Sequence, residues 1–170
     1  PPMGIELQRI TQAPDDLDSL VQALQQAFHR SDLTLTTGGL GPTEDDLTRE
    51  AIAQLLGETL HVDPQSLDNL KETFRQRGTP MPGANIKQAH LIPSARPIPN
   101  PLGTAPGWWV EKGGRIIVAM PGPPNELHRM WQMEVQPRLR LHAPEAVILT
   151  RILKTFGQGE GAINEALLPL

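Results

Sequence analysis

Thr36-Thr37-Gly38-Gly39-Leu40-Gly41-Pro42-Thr43-Glu44-Asp45-Asp46-Leu47-Thr48 joins a β-prone segment, Leu33 to Thr36, to a helical pattern carried by Leu47, Ala51, Ile52, Leu55 and Leu56 and ending at Gly57. A glycine-rich strand-to-helix junction of this kind can bind an anion. Glycines at 38, 39 and 41 let the backbone N–H groups approach a ligand closely, and the helix N-terminus adds partial positive charge and unpaired donors. A tight turn with Thr43, Asp45 and Asp46 capping the helix explains the same residues without a ligand. The spacing is neither the dinucleotide fingerprint nor the P-loop, because no Lys-Ser or Lys-Thr pair follows the last glycine.

Working outward, Gly4 to Ile10 alternates Ile5, Leu7 and Arg9 with its other residues as an early strand does. Leu17, Leu20, Val21, Leu24, Ala27 and Phe28 then form an amphipathic helical stripe from about Asp15 to Arg30. This strand, helix, strand order predicts a parallel pairing with a covering helix. Downstream, Asp63-Pro64 reads as an N-cap followed by proline at the first helical position, opening a helix through Leu67, Leu70 and Phe74. Residues 83–90 read as a short helix bearing Lys87 and Gln88. Trp108–Glu111 and Arg115–Ala119 flank Lys112-Gly113-Gly114 as a hairpin. A helix begins near Asn125, a last strand covers Ala146–Thr155, and a last helix runs from about Gly159 to Leu168. Several strands thus lead through glycine or proline loops into helices, the pattern of an α/β sheet whose sites lie at strand ends.

Composition narrows the function classes. A chain of 170 residues fits one domain, residues 1–170, with a core of its own. It has no cysteine, hence no disulfide, thiolate nucleophile or thiolate metal ligand. With 15 Lys and Arg against 19 Asp and Glu, the net charge of −4 leaves no basic footprint for nucleic acid. No apolar run approaches the ~20 residues that span a bilayer, and the N-terminus lacks a signal-peptide pattern, so the expected setting is cytoplasmic. The 18 prolines concentrate between Pro80 and Pro124, around an apolar stretch that includes Trp108, Trp109 and Val110. That region is a loop-rich part of one domain rather than a linker. The five histidines have no paired ligand spacing for zinc, and no serine sits in a nucleophile elbow. Trp108 and Trp109, as strand neighbours, point to opposite faces, so at most one stacks on a base; core packing or a subunit interface fits both.

Two further loops combine rigidity with exposed N–H groups: Asn100-Pro101-Leu102-Gly103-Thr104-Ala105-Pro106-Gly107 and Met120-Pro121-Gly122-Pro123-Pro124-Asn125-Glu126-Leu127. Taken in order, TGGLGPTEDDLTREAIAQLLG (37–57), MPGANIKQAHLIPSA (81–95), NPLGTAPG (100–107), MPGPPNELHRMW (120–131) and RILKTFGQGE (151–160) closely resemble the amino-terminal domain of the CinA family. That domain is similar to the molybdopterin-binding fold of MogA, MoaB and the corresponding MoeA domain. The resemblance covers about Gly4 to Leu168. It implies a three-layer α/β/α sandwich with a mostly parallel sheet.

Two departures bear on function. Family members usually begin with a further strand, a Gly-Thr-Glu loop and a helix, whereas this chain starts at Pro1-Pro2-Met3-Gly4, where their second strand would lie. Many also continue into a domain associated with nicotinamide mononucleotide deamidation, so deamidase activity is not assigned to this chain. For the amino-terminal domain the resemblance suggests metal-dependent hydrolysis of the pyrophosphate of ADP-ribose or a related dinucleotide. It implies Asp45 and Asp46 as catalytic or metal-binding carboxylates for Mg²⁺, Mn²⁺ or Co²⁺. Ligand contacts are expected from Thr37, Gly38, Gly39, Gly41, Thr43, Thr48, Lys87, Asn100, Gly103, Thr104, Gly107, Pro121, Gly122, Pro123 and Glu126. The expected partner is a small nucleotide or pterin phosphate, with neither nucleic acid nor membrane, and a homo-oligomer, a dimer first. The competing readings are a module that binds without turnover and a structural or assembly domain. Helix-end roles also remain for the two aspartates: Asp45 paired with Arg49 one turn later, and Asp46 as a helix cap.

Overall fold

The computed structural model describes residues 4–142, 154, 156–157 and 159–167, which fall into two units. The larger unit, Glu6–His142, opens with α1 (Leu17–Arg30), whose N-cap Asp16 accepts from Ser19 N at 2.9 Å. Then come β1 (Leu33–Thr37), α2 (Thr48–Leu56), β2 (His61–Val62) and α3 (Pro64–Gln76). The Asp63-Pro64 start is as expected: Asp63 Oδ2 accepts from Ser66 N at 2.7 Å and proline fills the first turn, where it lacks nothing the helix needs. A 3₁₀ helix, Gly83–Ala89, leads into β3 (His90–Leu91), which pairs antiparallel with β2. After it come β4 (Ala95–Ile98), β5 (Gly107–Lys112) and β6 (Arg115–Met120). A last long helix comprises α4 (Pro124–Met130), a π-helical turn over Trp131–Val135, and α5 (Gln136–His142).

The main sheet has the order β1-β6-β5-β4. Among the described residues only β1 and β6 run parallel, Leu33 opposite Ile116 through Thr37 opposite Met120; β6–β5 and β5–β4 are antiparallel. The expected mostly parallel sheet is therefore corrected to a mostly antiparallel one among the described residues. The cause is local. Lys112 pairs with Arg115 across Gly113 and Gly114, at φ +59° and +76°, and a two-residue turn of that hand can join only antiparallel strands. The expected strand at Gly4–Ile10 is a second correction, for residues 4–10 hold no strand; β1 takes its one parallel partner from β6 instead.

Both faces of the sheet are covered. Trp108 and Val110 of β5 and Ile117 and Ala119 of β6 share a core with Leu24 of α1 and Ala51 and Ile52 of α2. The alternate residues Trp109, Val118 and Met120 are buried on the other face. There Arg138 lies over the Trp109 ring at 5.9 Å and Met130 lies close against Gly107. Helix, sheet and helix form three layers, as expected. Both tryptophans are core residues, with Trp108 fully buried.

The smaller unit, Pro1–Ile5 and Ala143–Leu170, contains α6 (Glu160–Leu167) where a helix was expected. The expected strand at residues 146–155 lies outside the described residues except for Lys154. Among the described residues no helix is long and apolar enough to cross a membrane.

Candidate functional site

Strands β1 and β6 are parallel neighbours, so their carboxyl ends, Thr37 and Met120, lie side by side and release two of the three loops at one place. Gly38 N donates to Met120 O at 3.0 Å and Thr37 Oγ1 donates to Pro121 O at 3.0 Å. The third loop, ahead of β5, is tied to both others. Asn100 Nδ2 donates to Glu126 Oε2 at 2.7 Å and to Ala105 O at 2.9 Å, while Asn100 Oδ1 accepts from Gly103 N at 3.0 Å. A side chain at Gly103 would run into the Glu126 carboxylate.

The remaining tie is Arg49, the second residue of α2, which is completely buried. Its guanidinium donates to Leu40 O at 2.8 Å and to Pro106 O at 3.2 Å, and lies 5.9 Å from the Trp108 ring centre. Burial pulls its pKa down to about 10, against the attraction of Glu50 and Asp46, so it stays charged at neutral pH. Arg49 is therefore a bracket between loops and does not pair with Asp45, which is exposed. Sequence reasoning missed this role. The signal was present: position 49 lies three residues before Ile52, on the apolar face of the helix.

Within the glycine loop, Gly39 has φ +66°, and Thr48 closes the turn by donating from N to Gly39 O at 3.1 Å and from Oγ1 to Gly38 O at 2.8 Å. Asp46 does not cap α2. Its Oδ2 accepts from Thr43 N at 2.9 Å and from Thr43 Oγ1 at 2.5 Å, folding the loop back on itself, and the N-cap position falls to Leu47, which makes no side-chain capping bond. Burial raises the Asp46 pKa, but hydrogen bonds from Thr43 and Gly41 and the charge of Lys87 outweigh it, leaving the carboxyl below its ordinary 3.8. It is ionised at neutral pH, which suits a cation ligand better than a general acid.

Lys87 Nζ donates to Thr43 O at 3.0 Å and pairs with Glu50 at 3.3 Å. Behind it, burial pushes His90 below the usual histidine value in spite of the Glu50 charge, so its ring is neutral at pH 7. Of the expected contact residues, Thr37, Asn100 and Glu126 hold loop to loop, Gly103 N–H is bound by Asn100 within its own loop, and Gly107 is buried at the start of β5. Gly38 N–H is spent on Met120, and the Gly41 backbone lies against the Asp46 carboxylate. Among the described residues no protein acceptor bonds the Gly39 N–H. Thr43, Pro123 and Gly122 are exposed, Thr104 is half-buried and Pro121 is buried.

The Asp46 carboxylate carries a pH signature. A carboxyl whose folded pKa is depressed contributes stability above its unfolded value, and that contribution is lost as pH falls through the folded value. The chain is expected to resist urea better than its Asp46→Asn variant at pH 7, and the two midpoints are expected to converge once the pH is well below 3.8. A gap that persists unchanged at low pH would remove charge from the account.

The family model described as "Probable molybdopterin binding domain" matches residues 2–141. A solved structure of the protein CinA, with unknown function, from Thermoplasma acidophilum superposes with a TM-score of 0.67 at 36% identity, over 72% of each chain. The chain belongs to the CinA family. A CinA-like protein of Thermomicrobium roseum is 51% identical over 97% of this chain, and one of Deinococcus radiodurans is 48% identical over 96%. This CinA-family chain spans about 41% of the length of those relatives. It thus represents a molybdopterin-binding-type domain of proteins that are longer.

Proposed function

We propose that the Gly38–Asp46 loop holds the phosphate of a nucleotide or pterin phosphate, and that the domain hydrolyses the pyrophosphate of ADP-ribose or a related dinucleotide with a divalent cation. The supporting observation is the tethering of three loops at one end of the parallel pair, with the glycine turn opening onto the first turn of α2. Loops held this way lose little freedom on binding. The Gly39 N–H and the N-terminal partial charge of α2 are the groups that would meet a phosphate oxygen.

For the cation, Asp46 is ionised and oriented by Thr43, and Asp45 is exposed one residue away. Among the described residues no group of three or more His, Asp or Glu side chains gathers to cage a metal. One or two carboxylates with substrate phosphate and water completing the shell is the usual way a hard ion such as Mg²⁺ is held, so the residues fit. Bound there, the ion would neutralise phosphate charge and lower the pKa of a coordinated water. Asp46 would hold its position through Thr43, and Lys87, attached to the carbonyl of the same Thr43, would keep the loop closed over the phosphate.

A second reading, binding without turnover, is favoured by how fully Asp46 Oδ2 and Lys87 are already committed to protein partners. Incubation with ADP-ribose and Mg²⁺, Mn²⁺ or Co²⁺ separates the two. AMP and ribose 5-phosphate are expected, with the rate lowered about 10²-fold or more in Asp46→Ala. Product no higher than in that variant sinks hydrolysis. Calorimetry with ADP-ribose, AMP and a pterin phosphate then decides binding, and no heat with any of the three sinks both readings.

A further inference from the structure

Glu50 stands where an anion site has least use for it. It is the third residue of α2, in the first turn, where its carboxylate opposes any anion drawn to that helix end. Yet it is not turned to water as an ordinary helix-end acid is. Its Oε2 is buried, and among the described residues no donor reaches it, while Oε1 lies 3.3 Å from Lys87 Nζ. The Glu50 and Lys87 side chains are only 26% and 18% exposed. A carboxylate withdrawn from water with one oxygen unmatched costs stability, so a favourable place at the helix end does not account for it.

Of the basic groups near Glu50, Lys87 is the one that pairs with it among the described residues. Arg49 feels the Glu50 charge but gives its hydrogen bonds to Leu40 O and Pro106 O. His90 feels it too, but burial keeps that ring uncharged at pH 7, and its Nδ1 has no partner among the described residues. Lys87 carries the hold onward: its Nζ donates to Thr43 O, and the N–H and Oγ1 of the same Thr43 bind Asp46. We infer that Glu50 is a positioning residue, which fixes the Lys87 ammonium and through it holds Thr43, Asp46 and the Gly38–Asp46 loop in the shape that receives a phosphate. The phosphate rests on the function proposed above; the clamp on the loop does not. Lys87, neutralised by Glu50 and bonded to Thr43 O, acts through the loop and does not touch the phosphate. A clamp and a direct contact differ in sign. Removing a negative charge beside an anion strengthens binding when the lysine touches the anion, and weakens it when that charge keeps the loop closed.

Native-state hydrogen exchange reads the clamp without any ligand. In Glu50→Gln the Thr43 and Asp46 amides, which bond Asp46 Oδ2 and Thr43 O, are expected to exchange about tenfold faster, as when one hydrogen bond of a turn is released. The Val118 amide, inside β6, is expected to keep its rate. Glu50→Asp keeps the charge but draws it back from Lys87; it is expected to loosen the same two amides, and it serves if Glu50→Gln does not fold. Calorimetry with AMP then reads the site. Affinity is expected to fall about fivefold or more in Glu50→Gln, and in a Lys87→Met background Glu50→Gln is expected to add no loss, because a residue acting only through another loses its effect with it. Tighter AMP binding in Glu50→Gln, an unchanged loop, acceleration at Val118 equal to that at Thr43, or a further loss in the Lys87→Met background overturns the inference. No heat with the unsubstituted chain overturns the phosphate reading instead, and the exchange rates then decide alone whether Glu50 clamps the loop.

Discussion

Gly107→Ala is expected to destabilise the domain by about 3 kcal/mol, near the upper end of what overpacking a core costs. A methyl at this position would stand 2.6 Å from Ala119 O and 2.6 Å from Met130 Sδ. The carbonyl belongs to β6, fixed in the sheet between β1 and β5, and Met130 is buried at the end of α4, so neither gives way cheaply. The nearby Gly122→Ala is the internal control. Its methyl would meet Gly38 Cα at 3.5 Å, an ordinary contact, and should change stability by no more than about 0.5 kcal/mol. Urea unfolding of both variants measures the difference. Equal midpoints would mean that β5 and α4 can separate where the geometry says they cannot.

Gly39→Ala is expected to cost about 2 to 3 kcal/mol and to abolish ligand binding. Two effects combine. The left-handed backbone at φ +66° costs a side chain about 1 to 2 kcal/mol. The new methyl would also strike Thr48 Oγ1, forcing Thr48 away from Gly38 O and removing about 1 kcal/mol of hydrogen bonding. Gly38→Ala separates these effects, for φ is +92° there but the space is open. Adding Thr48→Ala to Gly39→Ala should recover the steric part and leave the backbone part. A double variant no more stable than the single one would rule out the collision as a cause.

What could be read from the residues was what neighbours dictate to neighbours. Asp63-Pro64 announced α3 because a carboxylate and a missing N–H act within one turn, and Lys112-Gly113-Gly114 announced the hairpin because the turn's handedness resides in those two glycines. Strand direction was not legible. The pairing of Leu33 with Ile116 joins residues far apart in the chain, and alternation in each strand says which face is apolar but not which strand lies alongside. Likewise the three loops of the candidate site were recognisable one by one, while their connection depended on side chains acting across the fold. Arg49 looked like a surface partner for Asp45 because a four-residue spacing favours such pairs; burial against Trp108 and two backbone carbonyls decided otherwise. Asn100 and Glu126 carried polar groups that invite a ligand reading, and each turned out to bond the other.

The π-helical turn over Trp131–Val135 has a consequence for how the sequence can change length. Buried Met130 and Val135 are five residues apart, and Val135 and Leu139 four, so the turn absorbs one residue while keeping all three side chains buried. A helix in regular phase would swing everything after an added residue by about 100°. Here the surplus sits in one widened turn. Removing a single residue from Trp131–Glu134 would return the helix to ordinary spacing with its downstream face unrotated, whereas the same deletion within α2 would carry Ile52 or its neighbours out of the core. One end of this fold thus tolerates a change in reading length that its glycine-loop helix does not.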